Sequence, residues 1–170
     1  MAGIVLTLVT RSPADTISPL LAPPAEEQEL VYSPWVKSCL TQEEANVHLG
    51  CLIGTNGHTS SGMPVVAAVL IERPDASKKI LRVKLPLGLQ LSQGTQIMVD
   101  QGQPMNAPYI ACVTNGCISE YEASNELIDK LKQGQSLVVQ GIDGEGHRVS
   151  IVLPLVGFGK AFDGPPTNDK

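Results

Sequence analysis

Tyr109-Ile110-Ala111-Cys112-Val113-Thr114-Asn115-Gly116-Cys117-Ile118-Ser119-Glu120-Tyr121 is the stretch that decides the fold class of this chain. Asn-Gly readily supplies the positive-φ positions of a tight hairpin turn, and here it separates two runs rich in Val, Ile and Tyr. The stretch predicts antiparallel strands over Tyr109–Val113 and Cys117–Tyr121. Such a hairpin also faces Cys112 toward Cys117, near the Cα separation of ~5.5 Å that a disulfide prefers.

The same signals recur outward from this hairpin. Asp143-Gly144-Glu145-Gly146 separates Leu137–Ile142 from His147–Leu155 and reads as a second hairpin. Ile80 to Leu85 alternates, with Leu81, Val83 and Leu85 on one face and Arg82 and Lys84 on the other. Thr95–Asp100 repeats the pattern through Ile97 and Val99. Pro64–Ile71 is almost continuously apolar, which predicts a strand covered on both faces. Val31–Val36 opens the series, with the single Trp, Trp35, as a core anchor. One helix interrupts it: Ser124 caps, Leu127, Ile128 and Leu131 form the apolar stripe, and Gly134 ends it. A helix over 125–132 is too short to stand alone and must pack on a sheet. The chain thus reads as all-β, an antiparallel β-sandwich with one short helix.

Residues 1–28 read differently. The Pro-, Ala- and acid-rich run after Thr10 lacks any sustained period and predicts an extended N-terminal tether, with one folded domain over 29–170. Ahead of the tether, Ile4-Val5-Leu6-Thr7-Leu8-Val9 has no Lys or Arg before it. That run fits either the remnant of an export signal or an N-terminal strand.

Composition narrows the function classes. Only 17% of the 170 residues are charged, against 16 Gly and 13 Pro, which favours short strands and turns over long solvated helices. A net charge of −5 excludes a nucleic-acid binder built on a basic phosphate-contacting patch. The densest basic run, Lys78 to Lys84, is the solvated face of a strand. No stretch approaches the ~20 apolar residues that span a bilayer.

Four cysteines are present: Cys39, Cys51, Cys112 and Cys117. Neither spacing forms the C-x2-C knuckle of a zinc site, and Cys112-x4-Cys117 lies between strands rather than at the helix N-terminus of a redox pair. An even count in an acidic, loop-rich chain favours disulfides and an oxidising compartment. Four cysteines allow three pairings; hairpin geometry favours Cys112 with Cys117, which leaves Cys39 with Cys51.

The sequence nominates no catalytic residue, metal ligand or cofactor. His48, His58 and His147 each lie in a loop-like stretch with no Asp, Ser or Cys at a known motif spacing. Gly54-Thr55-Asn56-Gly57-His58-Thr59-Ser60-Ser61-Gly62 resembles an anion cradle but lacks the Lys and the strand-to-helix context of a phosphate loop, and reads as a flexible surface loop. Asp100 and Asp143 sit beside turns, where Asp caps the backbone.

Several pieces together resemble the invasion-associated locus B family of Gram-negative bacteria. They are Trp35-x3-Cys39, Cys51, Leu85-Pro86-Leu87-Gly88-Leu89-x-Leu91-x2-Gly94, Ile97-x-Val99-Asp100, Cys112-x4-Cys117, and Leu153-Pro154-Leu155-Val156-Gly157-Phe158-x2-Ala161. The resemblance implies an immunoglobulin-like sandwich exported to the periplasm, cell surface or medium. It also implies a non-enzymatic role in host-cell attachment or invasion, red cells in particular, through a protein partner at the host or bacterial surface. Competing readings are a periplasmic structural or envelope-stress protein, and a hydrolase using loop His or Asp residues. No binding residue and no oligomeric state is assigned.

Overall fold

Leu81, Val83 and Leu85 are fully buried while Arg82 between them is exposed, the alternation expected of a half-buried strand. The computed structural model of the chain describes residues 29–42 and 47–167. Its strands are β1 (Val31–Tyr32), β2 (Val36–Gln42), β3 (Val47–His58), β4 (Pro64–Glu72), β5 (Lys79–Leu85), β6 (Thr95–Val99), β7 (Met105–Ala107), β8 (Tyr109–Val113) and β9 (Gly116–Ala123). Helix α1 (Asn125–Gln133) follows, then β10 (Ser136–Ile142), β11 (Arg148–Pro154) and helix α2 (Phe158–Asp163). The expected tether over 1–28 lies outside the described residues.

The strands form two antiparallel sheets. The larger runs β1-β3-β4-β5-β9-β8, with β2 also on the β1 edge of β3; the smaller runs β11-β10-β6-β7. Buried side chains of both sheets belong to one core that includes Ile53, Leu70, Leu81, Ile97, Leu137, Val139 and Leu153. Each fully buried aliphatic side chain there contributes about 1.5–3 kcal/mol of transfer free energy. The all-β antiparallel architecture with a short helix is the one the sequence reading expects.

One side of the sandwich is closed covalently. The chain passes from β7 in the small sheet to β8 in the large one across Pro108. A hydrogen bond of 2.6 Å between Thr95 Oγ1 on β6 and Tyr121 Oη on β9 ties the sheets inside that side. On the opposite side, the C-terminal segment fills one end. Phe158 is fully buried and meets Trp35 edge-on with ring centroids 5.0 Å apart, while Phe162 stacks on it at 6.0 Å. Trp35 Nε1 donates to the Pro154 carbonyl (2.9 Å), and Lys37 Nζ donates to the Phe162 carbonyl (2.9 Å) near the end of α2. Phe158 and Phe162 thus plug the end of the sandwich, and they do so from a second short helix, α2, that the sequence reading did not foresee.

Three further readings are corrected. Gly54–His58 is not a surface loop but the second half of β3, paired with β1 and β4. Thr55 is buried with its hydroxyl donating to the Ser33 carbonyl (2.6 Å), and a Cβ on Gly57 would stand 2.7 Å from Tyr32 Cε1. The glycine is there because two neighbours occupy the space a side chain needs, a tertiary reason that composition does not reveal. Second, His48, read as lying in a loop-like stretch, falls in the first half of β3, which pairs with β2 so that Cys39 and Cys51 face each other. Third, β4 is not covered on both faces: Val66, Ala68 and Leu70 are buried, while Val65, Ala67, Val69 and Ile71 are half-exposed.

Helix α1 forms as expected, with Ser124 Oγ accepting from Leu127 N (3.2 Å) and Leu127, Ile128 and Leu131 buried. Its terminating Gly134 is extended (φ −74°) rather than left-handed. A side chain there would lie 2.6 Å from Val99 Cγ1, so space rather than backbone conformation requires the glycine.

Candidate functional site

The strand registers place the turns at two ends. One end carries α1, α2 and the β4–β5 and β6–β7 connections. The other gathers Glu29–Val31, the β3–β4 turn, the segment from Pro86 to Gly94, the β8–β9 turn and the β10–β11 turn. Leu89 bridges Asp143, which joins two of these loops directly. Gly88 takes φ +92° in that segment, a left-handed conformation that glycine adopts without steric cost.

This loop end exposes apolar side chains. Val31, Met63, Leu87, Leu91 and Val113 are each 46–63% exposed, and all five lie on it. Single exposed apolar residues are ordinary, but five on the converging loops of one end are the feature by which interaction surfaces are recognised. A recess of about 650 Å³ opens beside Val31 and Met63, lined also by Leu30, Thr59, Val65 and Pro86. The hairpin that carries Val113 is stiffened beside its turn: Cys112 and Cys117 face each other at disulfide distance with Cα atoms 4.0 Å apart. Cys39 and Cys51 are placed likewise between β2 and β3, also 4.0 Å apart.

The remaining residues singled out in the sequence do not converge. His58 and His147 both lie at the loop end but on different sheets, His58 at the end of β3 and His147 in the β10–β11 turn. His58 Nδ1 lies 2.9 Å from the Thr59 carbonyl, and since a carbonyl only accepts, Nδ1 carries the proton. His147 Nδ1 lies 3.5 Å from both Asp143 Oδ2 and Glu145 Oε2. The side chain of His48 lies outside the described residues.

Asp143 caps its turn as expected, accepting from His147 N (2.8 Å) and Glu145 N (2.9 Å). The His147 amide above all holds its carboxyl below the usual carboxylate range. Asp100 is at the opposite end, in the left-handed region (φ 51°), and accepts from Ser136 N (2.9 Å) and Gln135 N (3.0 Å). Those two amides, Ser136 first, hold its carboxyl below the usual carboxylate range in the same way. Lowered carboxyls locked by backbone donors are suited to fixing turns; a general acid at neutral pH needs the opposite shift. Among the described residues no three His, Cys, Asp or Glu side chains come together as a metal site, and no helix is long and apolar enough to cross a membrane.

What sequence reasoning missed is the loop end itself. Its five apolar residues are scattered from Val31 to Val113 and fall on one end only through strand pairing. A large apolar side chain next to a turn (Met63, Leu87, Val113) is the one signal that marks them in the sequence.

Comparison with known proteins agrees with this architecture. The family profile described as "Invasion associated locus B (IalB) protein" matches residues 35–166. Two curated relatives, the invasion protein B homologs of Brucella abortus strain 2308 and of biovar 1 strain 9-941, are each 25% identical over 164 residues. Each alignment covers 95% of this chain and 92% of the relative. Among solved structures, invasion associated protein B from Bartonella henselae superposes with a TM-score of 0.66 at 20% identity, covering 78% of this chain and 90% of that one, a likeness of fold.

Proposed function

The chain belongs to the invasion associated locus B family, and from that membership we propose that it is an exported binding protein whose apolar loop end contacts a protein partner during host-cell attachment. The observation that carries the reading is the grouping of Val31, Met63, Leu87, Leu91 and Val113 on one end of a sandwich whose other end is plugged by α1 and α2. Contact made by loops on a rigid two-sheet frame needs little rearrangement of either partner. It acts by binding rather than by catalysis, with no cofactor.

Both cysteine pairs are bridged in the working protein, and their facing positions at disulfide distance support an oxidising compartment. The folded domain begins near Glu29, and residues 1–28 tether it or carry the remnant of its export signal. The names of the Brucella and Bartonella relatives associate them with invasion, which supports a host-facing role here.

The test is capture by the oxidised chain from two sources, red-cell membranes and periplasmic extract. Saturable binding to red-cell membranes that survives moderate salt supports the reading. Capture from periplasmic extract alone would favour an envelope role, and no saturable binding to membranes would refute host attachment.

A further inference from the structure

We propose that the outer face of the smaller sheet binds an acidic saccharide, Arg148 taking its carboxylate and a row of side-chain amides taking its hydroxyls. The proposal does not rest on the functional reading above. Strand register lines up Ser150 on β11, Gln140 on β10, Gln96 on β6 and Asn106 on β7 in one row across all four strands. Their chain neighbours Thr95, Ile97, Val139 and Ile151 are buried, so the alternation of a strand turns the row away from the core. Gln96 Nε2 donates to Asn106 Oδ1 (2.9 Å) and Gln140 Nε2 to Ser150 Oγ (2.8 Å). Those bonds orient the amides and leave Gln96 Oε1 as an acceptor and Asn106 Nδ2 as a donor, both without a partner among the described residues. A recess of about 190 Å³ opens on the row, lined by Gln93, Gln96, Asn106, Gln140 and Arg148. It is smaller than the ~300 Å³ at which pockets for drug-sized ligands begin, so it admits one small polar ring.

Charge separates this row from an ordinary solvated sheet face. On the larger sheet, Arg82 is paired across strands with Glu120. Arg148 has no such partner among the described residues: its one contact is Gln140 Oε1, at 3.4 Å. The carboxylates nearest to it along the chain are engaged within the turn. Asp143 accepts from the amides of Glu145 and His147, and Glu145 Oε2 lies 3.5 Å from His147 Nδ1. The Arg148 guanidinium therefore keeps its donor fork for a carboxylate, beside neutral amides that both donate and accept. A ring that carries hydroxyls and one carboxylate, as sialic and uronic acids do, matches that set. A simple anion would use the arginine and leave the amide row unmet.

Titration of the oxidised full chain with sialyllactose, glucuronic acid, lactose and acetate, followed by NMR of the backbone amides, tests this. At least one acidic sugar should shift the signals of Gln96, Asn106, Gln140 and Arg148. It should bind at least about tenfold more tightly than lactose or acetate, because hydrogen bonds to a charged group are the stronger ones. Which of the two acidic sugars binds separates a sialylated glycan from a uronic-acid polysaccharide as the source. Arg148→Gln should weaken the acidic sugar at least about tenfold with Tm unchanged, since this side chain is exposed. Gln96→Leu should weaken the sugar and leave acetate unchanged, which isolates the amide row from the charge. Binding of neither acidic sugar, equal binding of lactose or acetate, shifts confined to other residues, or full affinity in Arg148→Gln would each overturn the proposal.

Discussion

Replacing Phe158 by Ala removes the side chain that seals one end of the sandwich, and its cost can be worked from its surroundings. The ring has no exposed surface, meets Trp35 edge-on at 5.0 Å and stacks with Phe162 at 6.0 Å. Aromatic-to-alanine changes at fully buried sites cost about 3–5 kcal/mol, transfer and cavity together. The site is hemmed by β2, β3 and α1, and Trp35 is fixed by its bond to the Pro154 carbonyl, so the cavity has little means to collapse. About 4 kcal/mol is therefore expected. In a domain of this size that is roughly a 10 °C fall in Tm, and a large part of a typical net stability. Phe162→Ala is the control: its ring is half-exposed, with Lys132 Nζ 4.7 Å from the centroid, and it should cost less than half as much. Guanidinium unfolding of the oxidised chain, followed by Trp35 fluorescence, reads both. A Phe158→Ala loss below about 1.5 kcal/mol, or equal losses for the two, would refute the plug.

Other expectations follow from single contacts. Serine replacement of Cys39 and Cys51 together should cost about 3 kcal/mol and of Cys112 and Cys117 about 2 kcal/mol on loop-closure entropy, and reductant should shift the urea midpoint of the native chain while chelator leaves it unchanged. Superimposed oxidised and reduced curves would contradict bridged pairs. Asp100→Asn keeps a side-chain acceptor and a residue tolerant of the left-handed region, so it isolates the charge. Because the folded carboxyl is lowered, its stabilisation is present above the ordinary carboxylate range and lost as pH falls through the lowered value. The variant should therefore be less stable than the native chain at pH 7 and equal to it at strongly acid pH, read from paired melts. Burial pushes the Tyr121 hydroxyl up to about 12. The fold should then lose stability as pH rises above the ordinary tyrosine value near 10, and Tyr121→Phe should flatten that loss in alkaline melts.

The strands that alternate, 80–85 and 95–99, were legible because one face of each is buried and the other solvated. The two hairpins were legible because their turns need Asn-Gly or Asp-Gly chemistry. α1 announced itself by cap, stripe and glycine. The second half of β3 did not, because Gly54, Asn56 and Gly57 are weak strand formers by composition and the segment is held extended by Tyr32, Ser33 and Val66. α2 was hidden by its brevity and by its dependence on Trp35 more than a hundred residues earlier. The loop end was illegible for the same reason: no local pattern records which turns the strand order gathers.

Whether the apolar loop end makes the contact is read directly from one binding titration. Native chain and the triple variant Met63→Asp, Leu87→Asp, Val113→Asp, both oxidised, are compared for binding to red-cell membranes, with circular dichroism and Tm showing both folded. All three side chains are already exposed, so the fold should tolerate the change while the contact does not. Loss of central apolar anchors predicts an affinity drop of more than about 100-fold. Unchanged affinity in a variant with native circular dichroism and Tm would contradict the account.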